Sequence, residues 1–170
     1  MAISREDLFA RLDRIGAAHE TMTHRAVFTV DEGRDLKAKM PGGHSKNLFL
    51  KDKKGALFLV TAHADAAIDL VALGKEIGAK GRMSFGKAAL MEDVLGVSPG
   101  SVTPFAVANA APPALSAVIV DQRFFEFDTV WFHPLENTAS TAIAPGDLVA
   151  FLEDCGYAPL VMALPEKTTD

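Results

Sequence analysis

Apolar residues recur along the chain at two different spacings, and the switch between them divides it into helices and strands. Leu8, Leu12 and Ile15 fall three or four apart behind Ser4 and Asp7, so a first helix starts at Ser4 with a capping box and stops at Gly16. A short strand follows near Glu20 to Thr23. Thr29 and Glu32 form a second capping box, which sets a helix from Val30 or Asp31 through Leu36, stopped by Pro41 and the glycines after it. Asn47 to Lys51 and Ala56 to Thr61 are apolar strands joined by Asp52-Lys53-Lys54-Gly55, the pattern of a hairpin with a four-residue loop.

Asp65 can cap a third helix that carries Ile68, Leu70, Val71 and Leu73. Ser84 can cap a fourth, from Phe85 to Leu95, closed by Gly96. After a turn-rich segment from Val97 to Pro104, Phe105 to Val107, Ser116 to Val120 and Thr129 to Phe132 read as buried or half-buried strands. The polar run Glu136 to Ser140 should return the chain to the surface. Pro145 at a first helical position, then Leu148, Phe151, Leu152 and Cys155 on one face and Gly156 beyond, define the last helix. From about Pro165 to Asp170 a frayed tail is expected. Strands and short helices alternate without a regular βαβ rhythm, so the expected fold is α/β with a mixed, barrel-like sheet surrounded by short helices.

The bulk numbers narrow the class. A chain of 170 residues, 49% hydrophobic and 23% charged, fits one soluble domain over residues 1–170 with a single core. No run approaches the ~20 apolar residues that cross a bilayer, and the N-terminus lacks the order of a signal peptide, so no membrane partner and a cytoplasmic location are expected. Cys155 is the single cysteine, which fits a reducing compartment and a small buried apolar role. The net charge of −5 is unevenly spread: Gly33 to Lys87 holds 11 Lys+Arg against 5 Asp+Glu, and the rest holds 6 against 17. That segment is either a solvated surface or a local cationic footprint for a polyanion.

The common nucleotide-hydrolysis, dinucleotide, serine-hydrolase and zinc-peptidase motifs are all missing. None of the five histidines stands at a helical metal-binding spacing with a carboxylate partner, so neither a metal nor a cofactor is expected. Three features remain. Lys46 opens an apolar strand behind a Pro-Gly-Gly turn, where it either snorkels to solvent or meets an anion. The turn from Gly100 to Pro104 leaves the amides of Ser101, Val102 and Thr103 outside any helix ladder, free to hold a carbonyl or an oxyanion. His133, between an aromatic strand and a proline, is either bonded to a nearby carbonyl or a neutral imidazole at a pocket rim.

His24-Arg25 with Val27 to Val30, then Gly43 to Leu50, Asp52 to Gly55, Gly100 to Phe105 and His133 to Ala139 together resemble the YbaK/ProX superfamily of aminoacyl-tRNA editing domains. They cover nearly the whole chain in family order and look most like the freestanding ProX branch. The resemblance implies a hydrolase acting in trans on the ester of a mischarged proline tRNA, most simply its alanyl ester, with seryl or cysteinyl esters as alternatives. It makes Lys46 the essential lysine and Gly100 and Pro104 the ends of the family's loop. Asn47 and His133 match its pocket residues, with Ser101, Val102, Thr103 and Asn137 beside them. The implied partners are the 3′ acceptor end of tRNA(Pro) and, transiently, prolyl-tRNA synthetase. The chain departs from the pattern at Val107 to Ala110, where an Asn-Asp pair is expected. A tRNA- or DNA-binding module without activity, or a small-molecule hydrolase, would draw on the same features.

Overall fold

The computed structural model describes residues 2–26 and 30–168. Its elements are α1 (Arg5–Arg14), β1 (His19–Thr23), α2 (Val30–Ala38), β2 (Gly43–Lys51), β3 (Leu57–His63), α3 (Leu70–Glu76), β4 (Ser84–Phe85), α4 (Ala88–Leu95), β5 (Ala117–Asp121), β6 (Val130–Phe132), β7 (Ala139–Ile143), α5 (Pro145–Asp154) and β8 (Leu160–Met162). The strands form one mixed sheet in the order β1-β7-β6-β2-β3-β5-β8, with β4 added beside β2. β2 runs parallel to β6, and β5 runs parallel to both β3 and β8; the other pairs are antiparallel. A mixed sheet with short helices around it is the architecture expected from the sequence.

Alternation along β2 and β3 sorts their residues onto two cores. Phe49 and Leu59 join Phe105, Phe124, Phe132 and Phe151 in the main core, whereas Leu50, Val60 and Ala62 join Leu73 and Ile119 in a second one on the other face. α2 covers a third, small cluster of Met40, Trp131 and Ala142. The Ser4–Asp7 capping box is present at the start of α1. Thr29, assigned to the second box, lies outside the described residues.

Several elements differ from the sequence reading. The cap of α3 is Asp69, whose carboxylate accepts the Ala72 amide; Asp65 lies four residues too early, in the turn after β3. Ser84 and Phe85 pair with Lys51 and Leu50, so α4 starts only at Ala88. Pro104–Asn109 is a 3-10 helix rather than a strand, because Thr103 caps it and Pro104 supplies its first position. Ala139 and Ser140, the end of the run expected at the surface, instead open the fully buried strand Ala139–Ile143 between β1 and β6. The tail is docked as far as Lys167: Pro165 accepts the Asp69 amide and Lys167 donates to the Ala67 carbonyl.

Candidate active site

The sheet is split where β2 leaves β6. Their pairing covers only Gly43 with Val130 and His44 with Trp131, while β2 keeps β3 on its other edge from Ser45 to Lys51. Ser45 spans the opening, its hydroxyl donating to the Trp131 carbonyl at 2.8 Å. The backbone at Gly43 packs closely on Phe127, whose ring a Cβ would meet at 3.0 Å and would have to displace slightly. Lys46 and Asn47 follow and diverge. By alternation Lys46 points with Leu48 and Leu50 toward the second core, and its half-buried ammonium donates to the Ala66 carbonyl in the turn after β3. Asn47 points with Phe49 toward the main core, and its amide donates to Ser45 Oγ at 3.5 Å.

The Gly100 loop packs on that main-core side through Val102 and Phe105. Gly100 has φ +92°, a conformation that favours glycine, and a Cβ there would lie 3.6 Å from the Asn137 side-chain nitrogen. Of the three loop amides singled out from the sequence, that of Ser101 is taken by the Ser98 carbonyl at 3.0 Å. Those of Val102 and Thr103 have no acceptor among the described residues. The Thr103 hydroxyl accepts the Phe105 amide, and Pro104 opens the 3-10 helix behind it. Between His133 and Asn137, Leu135 holds φ +71°, the sole described non-glycine residue in that region; such strain costs roughly 1–3 kcal/mol and clusters at functional sites.

His133 lines a cleft of about 230 Å³ between α2 and the β2–β6–β7 part of the sheet, with His24, Lys37, His44, Ser45 and Ser140. Burial pushes its imidazole below the usual 6.5, so it is neutral at pH 7. Nδ1–H donates to the Ala139 carbonyl at 3.0 Å, leaving Nε2 as an acceptor. His133 is thus bonded to a carbonyl through one ring nitrogen and also lines the cleft. His24 lies 6.4 Å away, ring to ring. Its Nδ1 donates to the Arg25 carbonyl at 2.7 Å, and its Nε2 is hydrogen-bonded to the Ser140 hydroxyl at 2.9 Å. Ser140 gave no sequence signal, because it sat in a run read as surface. Asn109, at the family departure, is structural: it accepts the Ile3 amide and donates to the Leu95 carbonyl.

Within the cationic segment, Lys37 lines the cleft beside His44 and Ser45, while Lys53, Lys54, Lys80 and Arg82 gather at the hairpin end of β2, about 20 Å from Lys46 by strand rise. Cys155 packs half-buried against the main core, where burial raises its thiol to about 11. No described helix is long and apolar enough to cross a membrane.

A model of the aminoacyl-tRNA editing domain matches residues 24–151, a span that runs from His24 through the split strand, the Gly100 loop and Ser140 into α5. The chain belongs to the aminoacyl-tRNA editing domain family. Among its relatives, the prolyl-tRNA synthetase associated domain-containing protein 1 of Bos taurus is 35% identical over 162 residues, covering 93% of this chain and 94% of that one. The prolyl-tRNA editing protein ProX of Acetoanaerobium sticklandii is 30% identical over 146 residues, covering 85% and 88%. A crystal structure described as a candidate trans-editing enzyme for prolyl tRNA synthetase superposes with a TM-score of 0.73 at 17% identity, covering 98% of this chain and 99% of that one. At that identity the likeness concerns the fold. Both relatives align with at least 85% of the chain, so the split strand and the Gly100 loop fall inside the shared region.

Proposed function

We propose that this editing domain is a trans-acting hydrolase that removes the amino acid from mischarged tRNA(Pro), with Ala-tRNA(Pro) as its substrate. The observation that carries the reading is the Gly100 loop, whose Val102 and Thr103 amides have no acceptor among the described residues and which packs on the same side of the sheet as Asn47. Two such donors suit an ester carbonyl that gains negative charge as water adds to it. The bond from the carbonyl carbon to the ribose oxygen then breaks, the ribose hydroxyl takes a proton, and the amino acid leaves as its carboxylate. An ester is labile enough that orientation supplies much of the acceleration, so no side-chain nucleophile is required.

Lys46 points to the opposite face of β2 from Asn47, which favours pairing with the terminal phosphate over contact with the ester oxygen. The nucleotide would cross the free edge of β2, with its phosphate on the Lys46 side and its acyl group on the Asn47 side. Neutral His133 and Asn137 would position the ribose hydroxyl or the water. The preference for alanine rests on sieving: a synthetase pocket built for proline loses only ~1–3 kcal/mol per missing methylene, so a smaller second site must clear the error.

Incubation with tRNA(Pro) charged with alanine, serine, cysteine or proline, and with amino-acid esters that carry no RNA, tests the reading. Rapid release of alanine with proline retained is the expected result. RNA binding without turnover would make the chain a binding module, and cleavage of the simple esters alone would make it a small-molecule hydrolase.

A further inference from the structure

Two buried side-chain oxygens in the described structure, Asn47 Oδ1 and Thr61 Oγ1, have no hydrogen-bond partner. They are neighbours. Asn47 stands opposite Thr61 in the β2–β3 register, and because Ala64 donates its amide to the His44 carbonyl, Ser45–His63 and Asn47–Thr61 are the non-hydrogen-bonded pairs of the ladder. Such pairs bring Cβ atoms within about 5 Å of each other. Alternation places both side chains with Phe49 and Leu59 on the main-core side, where the Gly100 loop packs. Thr61 is fully buried.

The orientation of Asn47 is set by a relay. The Ser45 hydroxyl spends its proton on the Trp131 carbonyl, so it can only accept from Asn47, which fixes Nδ2 toward Ser45 and leaves Oδ1 turned elsewhere. Asn47 Oδ1 and Thr61 Oγ1 do not bond to each other either. A buried acceptor left unpaired is costly, and the other buried polar side chains nearby do not show the fault: Asp121 accepts from His63 and Arg123, and Thr103 from Phe105.

We propose that Asn47 Oδ1 and Thr61 Oγ1 are the seat of the substrate's free α-ammonium group, which restricts the site to esters of unblocked amino acids. The inference rests on the deacylase reading above. Asn47 Oδ1 can only accept and Thr61 Oγ1 has lone pairs free to accept beside it, so together they fit a group made only of N–H donors. They also give no place to an N-acylated amine, which has lost its charge and two of its three donors. Esters of peptides and of N-blocked amino acids are spared for that reason.

The test compares three esters of one 3′-terminal RNA: alanyl, propionyl and N-acetylalanyl. The protein should cleave the alanyl ester fastest, and Thr61→Val, which keeps the shape and removes the oxygen, should lower kcat/KM for it by about 10-fold or more while leaving the propionyl ester unchanged. The melting temperature of Thr61→Val should hold or rise, since an unpaired hydroxyl has been removed. Equal cleavage of the three esters by the wild type, or an equal loss on alanyl and propionyl esters in Thr61→Val, overturns the seat while leaving the deacylase reading intact. If none of the esters is cleaved, the deacylase reading fails, and binding decides the seat: alanylamino-adenosine should bind more tightly than propionylamino-adenosine, and equal or absent binding overturns it.

Discussion

At the hairpin end of β2, both carboxylate oxygens of Asp52 are occupied: Oδ1 accepts the amides of Lys54 and Ala56, and Oδ2 accepts that of Lys80. At the split end of the same strand, Asn47 Oδ1 and Thr61 Oγ1 beside it have no partner among the described residues. The two ends share a backbone, a hairpin partner and a cationic neighbourhood. They differ in whether their polar groups are completed from within. Asp52 ties the hairpin loop to the loop before β4, and Lys53 adds a bond from its amide to the Lys80 carbonyl. That is what a polar residue does when its task is the fold. The split end leaves two amides of the Gly100 loop and side-chain oxygens on β2 and β3 without partners among the described residues, as the proposed site requires.

The largest effect should come from removing the charge at the split. Lys46→Ala is expected to slow deacylation of Ala-tRNA(Pro) by roughly 100-fold or more, with an unchanged melting curve, because among the described residues the half-buried ammonium holds only the Ala66 carbonyl. A deacylation rate within about threefold of wild type would remove Lys46 from the site and with it the contrast between the two ends.

Asp52→Ala should do the reverse. Three amides lose their acceptor at once, so the melting temperature falls, by about 5 °C or more, while deacylation measured well below the transition is kept. Asp52→Asn keeps an acceptor for Lys54 and Ala56 but turns an amide donor toward Lys80, and should fall between. A variant that lost activity in proportion to stability at every temperature would mean that the hairpin end is part of the site.

Acid should separate the ends by pH. Burial holds the imidazoles of His44, His63 and His133 below their usual 6.5, so the folded chain resists protons that the unfolded chain accepts. Their contribution to stability is complete above 6.5 and is lost as the pH falls from there toward the lowered folded-state values. The Asp52 carboxyl is held below its usual 3.8 chiefly by the Lys80 amide, so its contribution stays complete until the pH drops under that value. Melting temperatures recorded between pH 7.5 and 3 should therefore decline in two stages, the first flattened by His133→Asn and the second by Asp52→Asn. A decline in a single step below pH 4 would show that the buried histidines do not contribute.

The hairpin end was legible in the sequence and the site only in part, for reasons the same contrast makes plain. Asn47 to Thr61 announces itself because its apolar residues, its Asp-Lys-Lys-Gly loop and its strand lengths all point one way. The helices at Ser4 and Pro145 are read for the same cause, a start signal (a capping box at Ser4, a first-position proline at Pro145) and an apolar stripe in agreement. β7 hides because Ala139 to Ile143 is short, small and partly polar, although a place between β1 and β6 buries every residue of it. Phe105 to Val107 looks like a strand until Pro104 and Thr103 are seen to set a tight helix. Lys46, Gly100 and His133 could be named from spacing and resemblance. Thr61 could not, since a threonine in an apolar strand is unremarkable until the register sets it beside Asn47.

The smallest effect is reserved for the hairpin lysines, and it decides how far the RNA reaches. Lys53 and Lys54 are exposed and lie about 20 Å from Lys46 by strand rise, beyond two screening lengths at physiological salt. If only the terminal nucleotides engage the protein, Lys53→Ala and Lys54→Ala should raise KM for charged tRNA by about twofold or less, leave kcat unchanged and leave the salt dependence of binding as it is. The double substitution should have no effect at all on an aminoacyl-adenosine, which cannot span the distance. A KM that rose about tenfold, with a shallower salt slope, would carry the RNA backbone along the whole of β2. In that case the completed bonds around Asp52 would be holding a second phosphate contact in place, and the division between a folding end and a binding end would have to be drawn through the side chains of the hairpin rather than across the strand.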